Sequence, residues 1–170
     1  MSRKTILHIG DPLLRAVSHP VTKFDLRLQM IARDMGETMY AADGIGLAAP
    51  QIGLMRRLIV IDVYDEQGLR VFVNPQIIKA EGDVAMEEGC LSIPGRRGCV
   101  KRPEKVTVTY QDIKGRHQEI QADGILARAL QHEIDHLNGV LYVDLMEYEV
   151  FEEDDEEEED EDEETAEAGA

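Results

Sequence analysis

Cysteine, long apolar runs and a surplus of base are what this sequence has least of, and each shortage excludes a class of protein. Among 170 residues only Cys90 and Cys99 are cysteines, too few for the disulfide framework that replaces a core in small secreted domains. No stretch approaches the roughly 20 apolar residues of a membrane-spanning helix. Met1-Ser2-Arg3-Lys4 leads neither into the apolar core of a secretory signal nor into the Arg- and Ser-rich segment of a transit peptide. The expectation is a cytoplasmic protein with reduced or metal-bound thiols and no membrane partner. Base is confined as well. All 18 Lys and Arg lie within residues 1–146, where 19 acids bring the net charge to −1, and the remaining 16 of 35 acids crowd into 147–170. The overall charge of −17 therefore describes the tail and says little about the body. Such a tail is repelled by a phosphate backbone, so direct nucleic-acid binding is not expected.

The length suits one domain with an adequate core. We expect it over residues 1–148, with 149–170 as a tail without fixed structure, because residues 152–164 are thirteen consecutive Glu and Asp that repel one another. In the body, Pro12 and Pro20 interrupt an irregular start, with a short helical turn around Leu13–Val17. Asp25 is placed to cap a helix whose buried stripe is Leu28, Ile31, Met35 and Met39, ending near Asp43-Gly44. Strands follow: Arg57–Val63, then Val71–Pro75 closing in a turn, Gln76–Lys79, Asp83–Glu87 and Lys105–Tyr110. A hairpin turn at Ile113–Arg116 leads into His117–Gln121. The predicted class is α+β, a mostly antiparallel sheet packed with an N-terminal helix and a C-terminal helix.

The chemistry concentrates in Gln131-His132-Glu133-Ile134-Asp135-His136. Two histidines four apart on a helix point the same way, and the carboxylate beside the first can manage the proton of a metal-activated water. Helix formers from Asp123 to Leu130 precede the motif, and Gly139 offers a stop. A catalytic metal needs a third protein ligand. The extended zinc-protease pattern would place a histidine where this chain has Tyr142. Glu147, Glu149 and Glu152 sit too close to the acidic run to be good candidates. Upstream, Glu88-Gly89-Cys90-Leu91-Ser92 offers Cys90, which would complete a Cys-His-His set with an open position. Cys99 is assigned a structural or incidental role.

A third stretch, Gly44-Ile45-Gly46-Leu47-Ala48-Ala49-Pro50-Gln51, fits the spacing of a dinucleotide fingerprint. Its context is wrong, since a helix precedes it and Pro50 obstructs the helix that should follow. What remains is a loop whose bare backbone can approach a ligand closely.

These three motifs, in this order, resemble the peptide deformylases, metallohydrolases that remove the formyl group from the N-terminal formylmethionine of new proteins. The resemblance runs from about Leu7 to Leu145. It implies that Cys90, His132 and His136 hold one divalent metal, most often Fe2+ and replaceable by Ni2+, Co2+ or Zn2+. It further implies that Glu133 accepts the proton of the attacking water and passes it to the departing amine. Gln51 and the Leu91 N–H would stabilise the oxyanion, while Ile45, Gly46 and Gly89 would meet the peptide backbone. Met86, Ile125 and Ala129 would take the methionine side chain. Glu88 would anchor the cysteine loop, with Arg102 as its partner. The implied partners are N-formylmethionyl peptides and nascent chains, with transient ribosome proximity. Many members end in a basic helix, whereas this chain turns polyacidic after Tyr148, which argues against a C-terminal ribosome contact. Three rivals remain at this point: a zincin-type peptidase, a thiol hydrolase with Cys90 as nucleophile, and a binding module whose acidic tail recruits basic partners.

Overall fold

A computed structural model of the chain describes residues 2–151, and the acidic run lies outside the described residues. Strand β2 (Leu58–Ile61) is the centre of the molecule. All four of its side chains are buried, which explains why the sequence there is β-branched and apolar without polar alternation. Leu58 and Val60 belong to one apolar cluster, and Ile59 and Ile61 to another. The two clusters lie on opposite faces of the strand, one side chain in two to each.

The first face is covered by α1 (Leu26–Ala41), which contributes Leu28, Met35 and Met39. Asp25 caps it as expected, its carboxylate accepting from the Leu28 N–H at 3.0 Å. The second face is covered by α2 (Gly124–Leu137), through Ala127, Leu130, Ile134 and Leu137. Asp123 stands at the cap position of α2, but its side chain makes no capping bond.

Around β2 runs an antiparallel sheet in the order β1 (Gly46–Ala48), β2, β3 (Arg70–Glu81), β6 (Lys105–Gln111), β7 (His117–Asp123). The turn expected at Asn74-Pro75 is a bulge inside the continuous strand β3, where the register shifts between Val73 and Gln76. Asn74 adopts a left-handed φ of 50°. Its side chain then pairs with the backbone of Val21, accepting from N–H at 2.8 Å and donating to C=O at 2.9 Å. Asn tolerates that conformation, and Pro75 loses no ladder bond at a bulge.

A second antiparallel sheet has the order β4 (Val84–Cys90), β5 (Ile93–Arg102), β8 (Tyr148–Val150). Sequence patterning missed β5, because Pro94, Gly95 and two arginines break its alternation. β8 carries regular structure past residue 148, the boundary expected for the domain. A single-turn helix, α3 (Tyr142–Leu145), packs Tyr142 with Ile93, Val100 and Leu141 beneath this sheet. The helices, the antiparallel pairing and the position of the histidine motif on the last long helix all agree with the predicted class.

Candidate metal centre and its cleft

Helix α2 carries His132 and His136 one turn apart on its inner face, their ring centroids 5.1 Å from each other. Cys90 arrives from the end of β4. The candidate ligand atoms of these three residues all lie within 4.8 Å of one another, and Cys90 Sγ stands 3.3 Å from His136 Nε2. A tetrahedral ion with ordinary metal–sulfur and metal–nitrogen bonds would hold such a pair roughly 3.5 Å apart. The donor set therefore fits a soft or borderline divalent metal.

The orientation of His132 is fixed from behind. Its Nδ1–H donates to Glu88 Oε1 at 2.7 Å, which leaves Nε2 for the metal side. Glu88 also accepts from Arg102 Nε at 2.5 Å, Arg102 Nη2 at 2.9 Å and Arg128 Nη1 at 2.7 Å. Arg102 reaches on to Asp135 Oδ2 at 2.7 Å, and Arg128 donates to the carbonyls of Val100 and Val84. Burial alone would raise the Glu88 carboxyl, but bonds from His132 and Arg102 overrule it and hold the group at about 2. The anticipated Glu88–Arg102 pair is thus present. Arg128, Asp135 and the stacking of Tyr142 on His132 at 6.1 Å were not foreseen. For Arg128 a signal existed, since it precedes His132 by four on the same helix and so shares its face.

The remaining groups are tuned by burial. It pushes the His136 imidazole well below its ordinary range, giving the neutral form a metal requires. His132 is drawn up to about 10, because hydrogen bonds to Cys90 and Glu88 outweigh the opposing effect of its burial; a metal ion would take the place of that proton. Glu133 is only 4% exposed. Desolvation pushes its carboxyl up to about 7, with His132 opposing and Glu88 adding to the rise. Its Oε2 is buried without a hydrogen-bond partner, as suits a group that meets a water or a proton in the cleft. The Gly46 backbone lies directly against it: a Cβ at that position would stand 2.7 Å from Glu133 Oε1.

Gln51, in the 3-10 turn Ala49–Ile52 after β1, is buried beside Cys90, with Nε2 3.6 Å from Sγ. A cleft of about 1180 Å³ is lined by Ile45, Gly46, Gln51, Met86, Gly89, Cys90, Leu91, Ile125, Ala129, His132 and Glu133. Every residue given a metal, catalytic or substrate-binding role from the sequence lines it except His136, which lies beneath at 1% exposure. Of the three residues expected to hold the methionine side chain, Ala129 is buried, while Met86 and Ile125 are exposed at the rim. Cys99 lies apart from the ligand set, paired with Glu87 and Tyr148 across its strand neighbours. A thiol hydrolase would draw on His132, which bonds to both Cys90 and Glu88, but it would have no use for the second imidazole converging on the same sulfur.

Comparison with known proteins reaches the same chemistry. The family model for polypeptide deformylase matches residues 3–151. A peptide deformylase from Halothermothrix orenii is 52% identical over 139 residues, covering 82% of this chain and 90% of the relative. One from Chromobacterium violaceum is 50% identical over 145 residues, covering 85% and 87%. Among solved structures, a peptide deformylase from Legionella pneumophila superposes with a TM-score of 0.83 at 49% identity, covering 85% of this chain and 86% of that one. A Synechococcus elongatus peptide deformylase in complex with actinonin gives 0.81 at 51%, covering 84% and 79%.

Proposed function

Because the chain belongs to the polypeptide deformylase family, metal-dependent hydrolases that remove the formyl group from the N-terminal formylmethionine of nascent proteins, we propose that Cys90, His132 and His136 hold its metal and Glu133 moves its protons. The observation that carries this reading is the buried, unpartnered Glu133 oxygen in a cleft whose floor brings together three converging ligand atoms, His136 lying just beneath its lining. The ion is Fe2+, with Ni2+, Co2+ or Zn2+ able to substitute, since a thiolate and two imidazoles suit all of them. When bound it supplies Lewis acidity, lowering the pKa of water and polarising a carbonyl.

The chain's own groups do the rest. Glu133 accepts a proton as the water oxygen adds to the formyl carbon. The carboxyl then delivers that proton to the amine nitrogen as the C–N bond breaks, leaving formate and a free N-terminal methionine. Its raised proton affinity suits both halves of that task. The Gln51 amide and the Leu91 N–H donate to the formyl oxygen as negative charge develops there. Ile45, Gly46 and Gly89 present backbone to the peptide, and Met86, Ile125 and Ala129 receive the methionine side chain.

The reaction takes place in the cytoplasm, on chains emerging from ribosomes. No helix among the described residues is long and apolar enough to cross a membrane. The acidic residues after Phe151 carry the same sign of charge as ribosomal RNA, which disfavours docking through them.

The test is formate release from a formylmethionyl peptide by the anaerobically metal-loaded protein. Glu133→Gln should retain the metal and lose turnover by roughly 10²–10⁴-fold, the scale of lost acid–base help. Cys90→Ala should lose metal and turnover together. Near-normal turnover in Glu133→Gln would refute the proton route even if the metal site proved right.

A further inference from the structure

Gln51 and Ser92 are both buried, at 1% and 0% exposure, and they touch. We propose that Ser92 is a positioning residue that aims the Gln51 amide at the reacting formyl oxygen, an inference that rests on Gln51 being an oxyanion donor.

The orientation of the amide can be deduced. The Ala48 backbone N–H is an unambiguous donor and lies 2.9 Å from one terminal atom of Gln51. That atom must be Oε1, since a flipped amide would set two donors against each other. Nε2 therefore faces Ser92 Oγ at 3.1 Å and Cys90 Sγ at 3.6 Å. An amide nitrogen has two hydrogens. Ser92 accepts one in a bond of ordinary length, whereas the other has only the long contact to sulfur. The second hydrogen is the one a substrate oxygen can capture without breaking a good bond.

Both residues sit on backbone that is itself secured. The Leu7 N–H donates to Gln51 C=O at 2.7 Å, and the Ile9 N–H donates to Ser92 C=O at 2.8 Å. A single N-terminal strap thus fixes the two loops relative to each other. Side-chain rotation about the Gln51 chain is the freedom left; the Ala48 N–H restrains the oxygen end of the amide and the Ser92 hydroxyl the nitrogen end. Donors held in place before charge develops stabilise a transition state most effectively, and small misplacements are costly.

A double-mutant cycle on the full, metal-loaded chain tests this, using Ser92→Ala, Gln51→Ala and the pair. Ser92→Ala should lower kcat by roughly 10–10²-fold with KM little changed, because the lost aim acts on the transition state. In the Gln51→Ala background the same substitution should change kcat by less than about twofold, since nothing is left to aim. A second readout does not depend on turnover. In side-chain amide NMR spectra of the zinc-loaded protein, the Gln51 NH2 protons, assigned by their loss in Gln51→Ala, should exchange with solvent faster in Ser92→Ala. Normal kcat in Gln51→Ala would overturn the oxyanion role, and this inference with it. A normal Ser92→Ala enzyme beside an impaired Gln51→Ala enzyme would overturn the positioning role alone. So would equal losses in both backgrounds, or unchanged amide exchange.

Discussion

Replacing Glu88 with alanine would remove the one acceptor shared by Arg102, Arg128 and His132, and the cost can be worked from what each donor keeps. Arg102 retains Asp135 at 2.7 Å, so its charge stays neutralised. Arg128 retains two carbonyls and loses its only carboxylate partner among the described residues. Breaking a buried pair costs about 3–5 kcal/mol, mostly through the charge left behind. With one guanidinium still paired, the lower end applies, roughly 3 kcal/mol, against a typical total of about 5–15. In urea that corresponds to a midpoint lower by roughly 1–3 M. The measurement belongs on metal-free protein, so that metal binding does not add to the difference. His132 loses its orienting acceptor as well, so affinity for the ion should fall about 10–100-fold. Adding Arg128→Met to Glu88→Ala should recover part of the stability by removing the stranded charge, but none of the metal affinity. An unchanged urea midpoint together with unchanged metal affinity in Glu88→Ala would refute the account of this cluster.

Gly46→Ala should retain the metal and lose turnover by about 10²-fold, because the new Cβ displaces Glu133 by the small distance that such sites do not tolerate; metal analysis beside kcat checks both halves. Tyr40 donates to Asp62 Oδ2 at 2.5 Å, and this bond, followed by burial, pushes its hydroxyl up to about 12. A raised folded value means that its contribution is complete below about pH 10 and lost as the pH rises from there through about 12. The parent's advantage over Tyr40→Phe in denaturation midpoint should therefore be full at about pH 8 and clearly smaller at about pH 11.

How much of this was legible beforehand depended on the range of the interaction. The histidine spacing, the Asp25 cap and the buried run of β2 are local patterns, and a local pattern is what periodicity detects. Cys90 became readable only alongside the other two motifs, since one cysteine after a glycine has no period. β5 was hidden because a strand whose exposed stretch contains glycine, proline and arginine has no alternation to read. Ser92 sat in plain view inside a quoted motif. What gives it meaning is a contact with Gln51, 41 residues away, and nothing in the local pattern announces such a contact. Asn74 misled for a sharper reason: Asn-Pro carries turn chemistry, and here that chemistry was used to bend a strand without ending it.

The three proposed metal ligands belong to different parts of the architecture. Cys90 ends a strand of the three-stranded sheet, whereas both histidines ride on the helix seated against the five-stranded one. An ion bound between them is a cross-link between two layers, closing a loop of 46 residues from Cys90 to His136. Occupancy therefore governs mechanical integrity as well as turnover. Stripping the ion should loosen β4, β5 and β8 first, visible as faster amide hydrogen exchange there while β2 and β3 keep their protection. A cell that lets the metal be lost would then forfeit more than a catalyst: it would be left with a half-unfastened chain, recognisable to proteases by its opened sheet.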